Sequence, residues 1–282
     1  MAKTSGIVNS LVTTYRFLRQ RGWLMGQKGY PIHTTPILPA DQRSAQIEGN
    51  VRNQTVTTAG YDVWEDGLSE IPRPSAAGET FAVVSDEVED NATGIGIQEI
   101  GIDLILIDGT ATTVYVEMNG KTEVVIPGTY IFVNDIFSSR NFLKANGNYS
   151  TGAGEIKVYQ QGNPTSRKYA LIRPGGNKSL TCTRYVPKGF NYLIEMVTPS
   201  GDTKGVEGIV RATNTDTQVQ VNGFLFKVPF QLEKSGIPII FPTPLQIMEH
   251  SLVKATLFSI SGNVQGVTVS IVIAGRLVPI NQ

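Results

Sequence analysis

Beyond residue 80, Asp-Gly and Asn-Gly dipeptides fall between β-rich runs, and a chain punctuated in this way is directed toward antiparallel sheet. Ile100, Ile102, Leu104 and Leu106 alternate with residues that include Asp103, while Ile105 and Ile107 make both faces apolar. Asp108-Gly109 leads into Thr112–Met118, Asn119-Gly120 into Thr122–Ile126, and Pro127-Gly128 into Tyr130–Asp135. Asp-Gly and Asn-Gly supply the positive φ angles that two-residue hairpins need. The expectation is an antiparallel meander.

The same grammar returns further on. A glycine-rich stretch from Asn146 to Gly154 precedes a strand at Glu155–Tyr159, and the polar run Gln160 to Arg167 reads as a boundary. A second unit starts near Tyr169, with strands at Ser179–Val186 and Phe190–Val197 about the turn Pro187-Lys188-Gly189. Thr217–Val221 and Phe224–Leu232 flank Asn222-Gly223. Phe224, Phe226, Val228, Phe230 and Leu232 fall on one face, and Val267, Val269, Ile271 and Ile273 mark a final strand.

The N-terminal part reads differently. Ile7, Leu11, Tyr15 and Leu18 recur at helical spacing over residues 6–21, with Ser5 as N-cap and Gly22 as stop. Lys3, Arg16, Arg19, Arg21 and Lys28 precede the first carboxylate, Asp41. Such a basic, acid-free start fits either a mitochondrial transit peptide or an arm lying on an acidic neighbour. Residues 26–80 are punctuated by Pro31, Pro36, Pro39, Pro72 and Pro74, along with Gly29, Gly49, Gly60, Gly67 and Gly78, and show little sustained period. A stretch of that length without regular structure is uncommon inside a compact domain, and its Tyr and Trp content is too apolar for a free linker.

These readings predict an all-β protein of antiparallel β-sandwich or jelly-roll bodies, preceded by a helix and an extended arm. The expected divisions are 1–79 for the arm, 80–165 for a first sandwich and 166–282 for a second. Leu11, Tyr15, Arg16, Leu18, Arg19, Tyr30, Ile32, Tyr61 and Trp64 are the expected assembly interface.

Composition narrows the function. Twenty-four basic and 24 acidic residues cancel, so no global field steers nucleic acid or anionic membranes. The single thiol, Cys182, cannot form an internal disulfide. No apolar run approaches the roughly 20 residues of a membrane helix, and the N-terminus carries no signal-peptide core.

Motifs for chemistry are sparse. His33 and His250 are the only histidines, no G-x-S-x-G is present, and one Cys with two distant His does not make a zinc site. Gly94-Ile95-Gly96 and Gly152-Ala153-Gly154 do not complete a phosphate-binding fingerprint and read as turns. The acidic run Asp86-Glu87-Val88-Glu89-Asp90 lacks the ligand spacing of an EF-hand and reads as a solvated loop. The expectation is a chain without catalytic, cofactor or metal-binding residues.

Two stretches carry a resemblance. Gly94–Asp135, through Ile97-Gln98-Glu99-Ile100 and Val116-Glu117-Met118-Asn119-Gly120, resembles a segment of tailed-bacteriophage virion structural proteins. Leu171-Ile172-Arg173-Pro174-Gly175-Gly176-Asn177-Lys178-Ser179-Leu180 through Tyr185-Val186-Pro187-Lys188-Gly189 looks like a companion segment. The resemblance implies a capsid-decoration, head-fibre or tail-accessory protein, homo-oligomeric, bound to other virion subunits and assembled in the host cytoplasm. It carries over no functional residues, and it favours the arm over the transit peptide. The competing expectations are a host-glycan-binding module using Tyr149, Tyr159 or Trp64, and a polysaccharide-degrading enzyme.

Overall fold

The computed structural model describes residues 43–165, 167–201, 204–213, 224–232 and 236–280, all of it β-strand, turn or irregular chain. The expected helix over residues 6–21 lies outside the described residues, as does the Asn222-Gly223 hairpin. No helix among the described residues is long and apolar enough to cross a membrane.

The fifteen strands among the described residues fall into two bodies. Strands β3 (Glu79–Ser85), β4 (Ile97–Leu106), β5 (Ala111–Glu117), β6 (Val124–Asn141), β7 (Ile156–Gln160) and β8 (Lys168–Ile172) form one six-stranded antiparallel sheet in the order β5-β4-β6-β3-β7-β8. It packs around its own core, which includes Phe81, Ile100, Ile102, Leu104, Ile136, Val158 and Tyr169. The alternation of Ile100, Ile102 and Leu104 points these three inward. Ile105, on the opposite face, is also fully buried, because that face meets the second body.

The second body takes its strands from both sides of the first. One sheet orders β1 (Arg43–Val56), β15 (Val264–Pro279), β10 (Phe190–Gly201) and β13 (Ile239–Ile247). The other orders β12 (Phe224–Gln231), β11 (Val206–Thr213), β14 (Leu252–Ser259) and β2 (Tyr61–Asp62), with β9 (Thr183–Tyr185) also paired to β14. The two sheets share one core. Ile47, Val51, Tyr192, Ile194, Ile271 and Ile273 come from the first, and Val210, Ala255 and Leu257 from the second.

Three expectations are corrected. The stretch from residue 43 is not an arm: β1 pairs along its length with β15, Ile47 opposite Ile273 and Val51 opposite Val269. Residues 43–79 therefore do not separate from the bodies at residue 79. Second, the polar run after Gln160 is a hairpin loop closed by Gln160 N–H to Arg167 O at 3.0 Å, which returns β8 onto β7. Lys168–Ile172 therefore belongs to the first body, and the boundary expected at 165/166 falls beyond β8.

Third, the region is not a simple meander. Asp108-Gly109 does turn β4 into β5, with Gly109 at φ +84° and its N–H on Leu106 O at 2.9 Å. After Asn119-Gly120, however, the chain passes to the far side of β4, where β6 pairs. Pro127-Gly128 is a bulge within one 18-residue strand: between Glu79↔Tyr130 and Phe81↔Ile126, β6 advances four residues while β3 advances two. Gly128 at φ +115° accommodates it.

Candidate functional site at the junction of the two bodies

The two bodies meet through a small apolar cluster of Ile105 and Phe132 from the first and Tyr185 and Leu252 from the second. The Phe132 and Tyr185 rings lie 5.9 Å apart. Asn134 on β6 fixes the register of this contact. Its side-chain N–H donates to Tyr185 O at 3.0 Å, and its carbonyl accepts from Tyr185 N–H at 2.7 Å. A paired amide of this kind orients both strands as a short ladder would.

A cleft of about 520 Å³ opens on one side of the cluster, lined by Arg73, Glu79, Ile107, Arg167, Tyr185 and His250 among others. Its polar wall is built by Glu79, buried at the start of β3, whose Oε1 accepts from Ser75 N–H at 2.7 Å and Arg167 Nη2 at 2.8 Å. The same Arg167 nitrogen donates to Arg73 O at 2.8 Å. Tyr169 donates to the other Glu79 oxygen, and burial followed by that hydrogen bond holds the phenol far above its ordinary range. Opposite, His250 adopts φ +61°, and its Nδ1 lies 3.2 Å from the Tyr185 hydroxyl. Its ring occupies the space above Gly109, where a Cβ would fall 2.3 Å from Cε1. His250 is thus part of the packing between the Asp108-Gly109 hairpin and the turn after β9, where Lys188 N–H also donates to Gly109 O at 2.9 Å.

The other side of the junction is ionic. Lys178 Nζ lies 3.3 Å from Asp135 on β6 and 3.8 Å from Glu48 on β1. Asp135 and Asp103 face each other in register across β6 and β4. Burial pushes the Asp135 carboxyl up to about 6, against the pull of Lys178 and Arg184 and with the push of Asp103.

A third polar centre lies within the first body. Asp90 is fully buried and accepts four hydrogen bonds: Ser85 Oγ at 2.7 Å, Ile97 N–H at 2.8 Å, Ala153 N–H at 3.0 Å and Gly154 N–H at 2.9 Å. A Cβ on Gly96 would fall 2.2 Å from its Oδ1. The two Gly-x-Gly stretches that read as turns therefore wrap an internal carboxylate, with backbone N–H groups from the second pointing at it as in an anion nest. The acidic run is solvated only in part: Asp86 and Glu87 are exposed and pair with Lys157 and Lys121, whereas its last member is core.

The expected interface residues scatter. Leu11, Tyr15, Arg16, Leu18, Arg19, Tyr30 and Ile32 lie outside the described residues, as does His33. Tyr61 and Trp64 are buried in the second body at 3% and 0% exposure, Trp64 donating from Nε1 to Leu68 O at 2.8 Å. They are core residues here and present no surface to a partner. Burial pushes the Tyr61 phenol up to about 12. Tyr159, one of the aromatics considered for sugar stacking, is also buried, while Tyr149 is 67% exposed. Cys182 is buried. Among the described residues no three His, Cys, Asp or Glu side chains converge as metal ligands.

No family model matches the chain, and no curated protein matches it. Among solved structures, the chain aligned with one from the infectious bursal disease virus Gt strain at 11% identity and a TM-score of 0.09, over 85% of this chain and 82% of that one. A chain from the Gx strain aligned at 10% identity and a TM-score of 0.11, over 84% and 79%. Values this low carry no argument about fold or function.

Proposed function

We propose that this chain is a non-catalytic structural component of a tailed-phage virion, of the capsid-decoration, head-fibre or tail-accessory kind. It would act as a homo-oligomer bound to other particle subunits. The observation that supports this reading is the role of the buried carboxylates. Asp90 accepts four donors, Asp62 accepts Ile71 N–H, Lys254 Nζ and Thr256 Oγ1, and Glu79 accepts Ser75, Arg167 and Tyr169. A carboxylate held by three or four donors from distant segments acts as a cross-link, and such satisfied networks rigidify a fold. Cross-links suit a part whose task is to hold its shape between neighbours. The likeness of residues 94–135 and 171–189 to phage structural segments supplies the context.

Light scattering of the full chain tests the assembly part of this proposal. The expected result is a discrete multimer, and a strict monomer that also fails to appear in purified particles overturns it. Host-glycan binding is a second reading, favoured by the junction cleft, whose volume falls within the roughly 300–1,000 Å³ of small-ligand sites. Ala76 is exposed at the cleft, so Ala76→Trp fills it without touching either core. A glycan-array signal lost in that variant supports the second reading, and no signal from the unaltered chain removes it.

A further inference from the structure

We propose that Asp135, Lys178 and Glu48 form a proton-controlled latch that fastens residues 177–179 across the junction of the two bodies, closed in acid and loosened toward neutral pH.

The geometry begins with the connector. Ser138 N–H donates to Asn177 O at 2.8 Å, Ser179 N–H donates to Ile136 O at 2.9 Å, and Lys178 bridges Phe137. Residues 177–179 thus lie along β6 of the first body as a fragment of strand. A few residues later the chain belongs to the second body: Cys182 N–H donates to Val63 O at 2.8 Å, and Thr183–Tyr185 pair with β14. Lys178 sits at the crossing, its ammonium between a carboxylate of the first body and one of the second.

Four charged groups besides Lys178 bear on this point. Asp103 from β4 stands directly opposite Asp135, and like charges opposed across a strand pair are unfavourable. Arg184 from β9 and Glu48 from β1 line the small cavity that holds Lys178, and Asp135 itself is 16% exposed. Within the closed junction, ionising Asp135 means charging a desolvated carboxyl that faces Asp103. Lys178, shared with Glu48, offsets only part of that cost.

The sign follows from linkage. Closed, Asp135 keeps its proton to about pH 6; opened to water, it loses the proton near the ordinary value of 3.8. The closed form therefore binds more protons between these limits, and rising pH across that window favours opening. The gap of about two units sets a ceiling on the order of a hundredfold in the opening equilibrium.

Hydrogen exchange of the intact chain tests this, following connector peptides spanning 177–185 beside peptides of β15. Asp135→Asn removes the titration while keeping the shape, and comparing identical peptides cancels the intrinsic pH dependence of exchange. The expected result is a ratio of wild-type to variant connector opening that rises about ten- to a hundredfold between pH 4.5 and 7, with β15 unchanged. A flat ratio overturns the latch. So does a parallel rise in β15, which would mean a change in global stability. Should Asp135→Asn fail to fold, carbon-13 titration of the wild-type carboxyls decides: an Asp135 midpoint in the ordinary carboxylate range overturns the proposal.

Discussion

Gly154 donates its backbone N–H to Oδ2 of Asp90 at 2.9 Å, joining the end of an acidic run to a glycine-rich turn 64 residues away. Ala153 donates to the other oxygen of the same carboxylate, as does Ile97. One buried side chain thereby fixes the loop before β4, the end of β3 and the approach to β7.

Asp90→Asn replaces one acceptor oxygen with a donor and sets it against N–H and O–H groups already aimed at that place. Leaving buried donors without acceptors costs about 1–3 kcal/mol each. The expected loss is about 2–4 kcal/mol, seen as a lower urea midpoint with an unchanged m-value. Asp86→Asn, on the exposed part of the same run, is expected to be near neutral.

Asp62 and Lys254 form a buried pair at 2.8 Å, both below 5% exposed, linking β2 to β14 across 192 residues of sequence. Burial pulls the Lys254 ammonium below its ordinary value, while Asp62 pulls it back up. Lys254→Met removes the closest cation from a buried carboxylate, leaving Arg211 at 4.0 Å, and is expected to cost up to about 3–5 kcal/mol. The double variant Asp62→Leu/Lys254→Met is expected to cost clearly less than the sum of the single changes in an unfolding cycle.

Gly49 on β1 has no room for a side chain. Its Cβ would meet the Cys182 Cβ at 2.3 Å and Val63 O at 2.8 Å. Gly49→Ala is expected to lower stability by about 1–3 kcal/mol, as overpacking does. Cys182→Ala is not expected to rescue it, because the atom in the way is the Cβ itself. Thermal unfolding of the two single variants and the double variant checks this.

Trp64→Ala empties a fully buried site in the second body, with an expected cost of about 3–5 kcal/mol by denaturant unfolding. Deleting residues 43–75 removes β1, β2 and Trp64 together and is expected to leave that body unfolded. A truncated protein showing the wild-type transition would contradict the pairing of β1 with β15.

Glu65 and Asp66 are both pushed upward, first by burial, with Arg52 and Lys168 respectively pulling them back. A carboxyl with a raised folded value holds its proton where the unfolded chain has released it. Its stabilising contribution is then fully present below the ordinary carboxylate range and is lost as pH rises from there through the folded value. Asp66→Asn is therefore expected to flatten the decline in unfolding free energy on going from pH 4 to 7, measured as the difference from wild type at each pH.

The sequence carried the all-β character openly, because hairpin chemistry is local: Asp108-Gly109 specifies its turn within four residues. Strand β1 was hidden for the opposite reason. Ala45, Ile47, Gly49 and Val51 do alternate inward, but the glycine interrupts the apolar pattern and the partner strand lies more than 200 residues away. Pro127-Gly128 was misleading because the pair that ends many strands is here absorbed as a bulge. Of the junction, the sequence marks the Asp108-Gly109 turn and His250, but nothing local to either says that they pack together. Asp90 read as solvated because its neighbours are, and its burial is set by donors from residues 153 and 154. Arg73, Glu79 and Arg167 meet only after β3 has paired with β7 and β7 with β8, and nothing around any of them announces the other two.

The pairing of β1 with β15 also has a consequence in time. The six strands between residues 79 and 172 form an uninterrupted stretch, so on the ribosome their sheet has every partner before the second body is half made. Strand β1, synthesised earlier, must wait through more than 200 residues of translation for its neighbour. The first body thus matures as a nested unit while the sequence that will enclose it stays open, until β15 emerges to join β1 with β10.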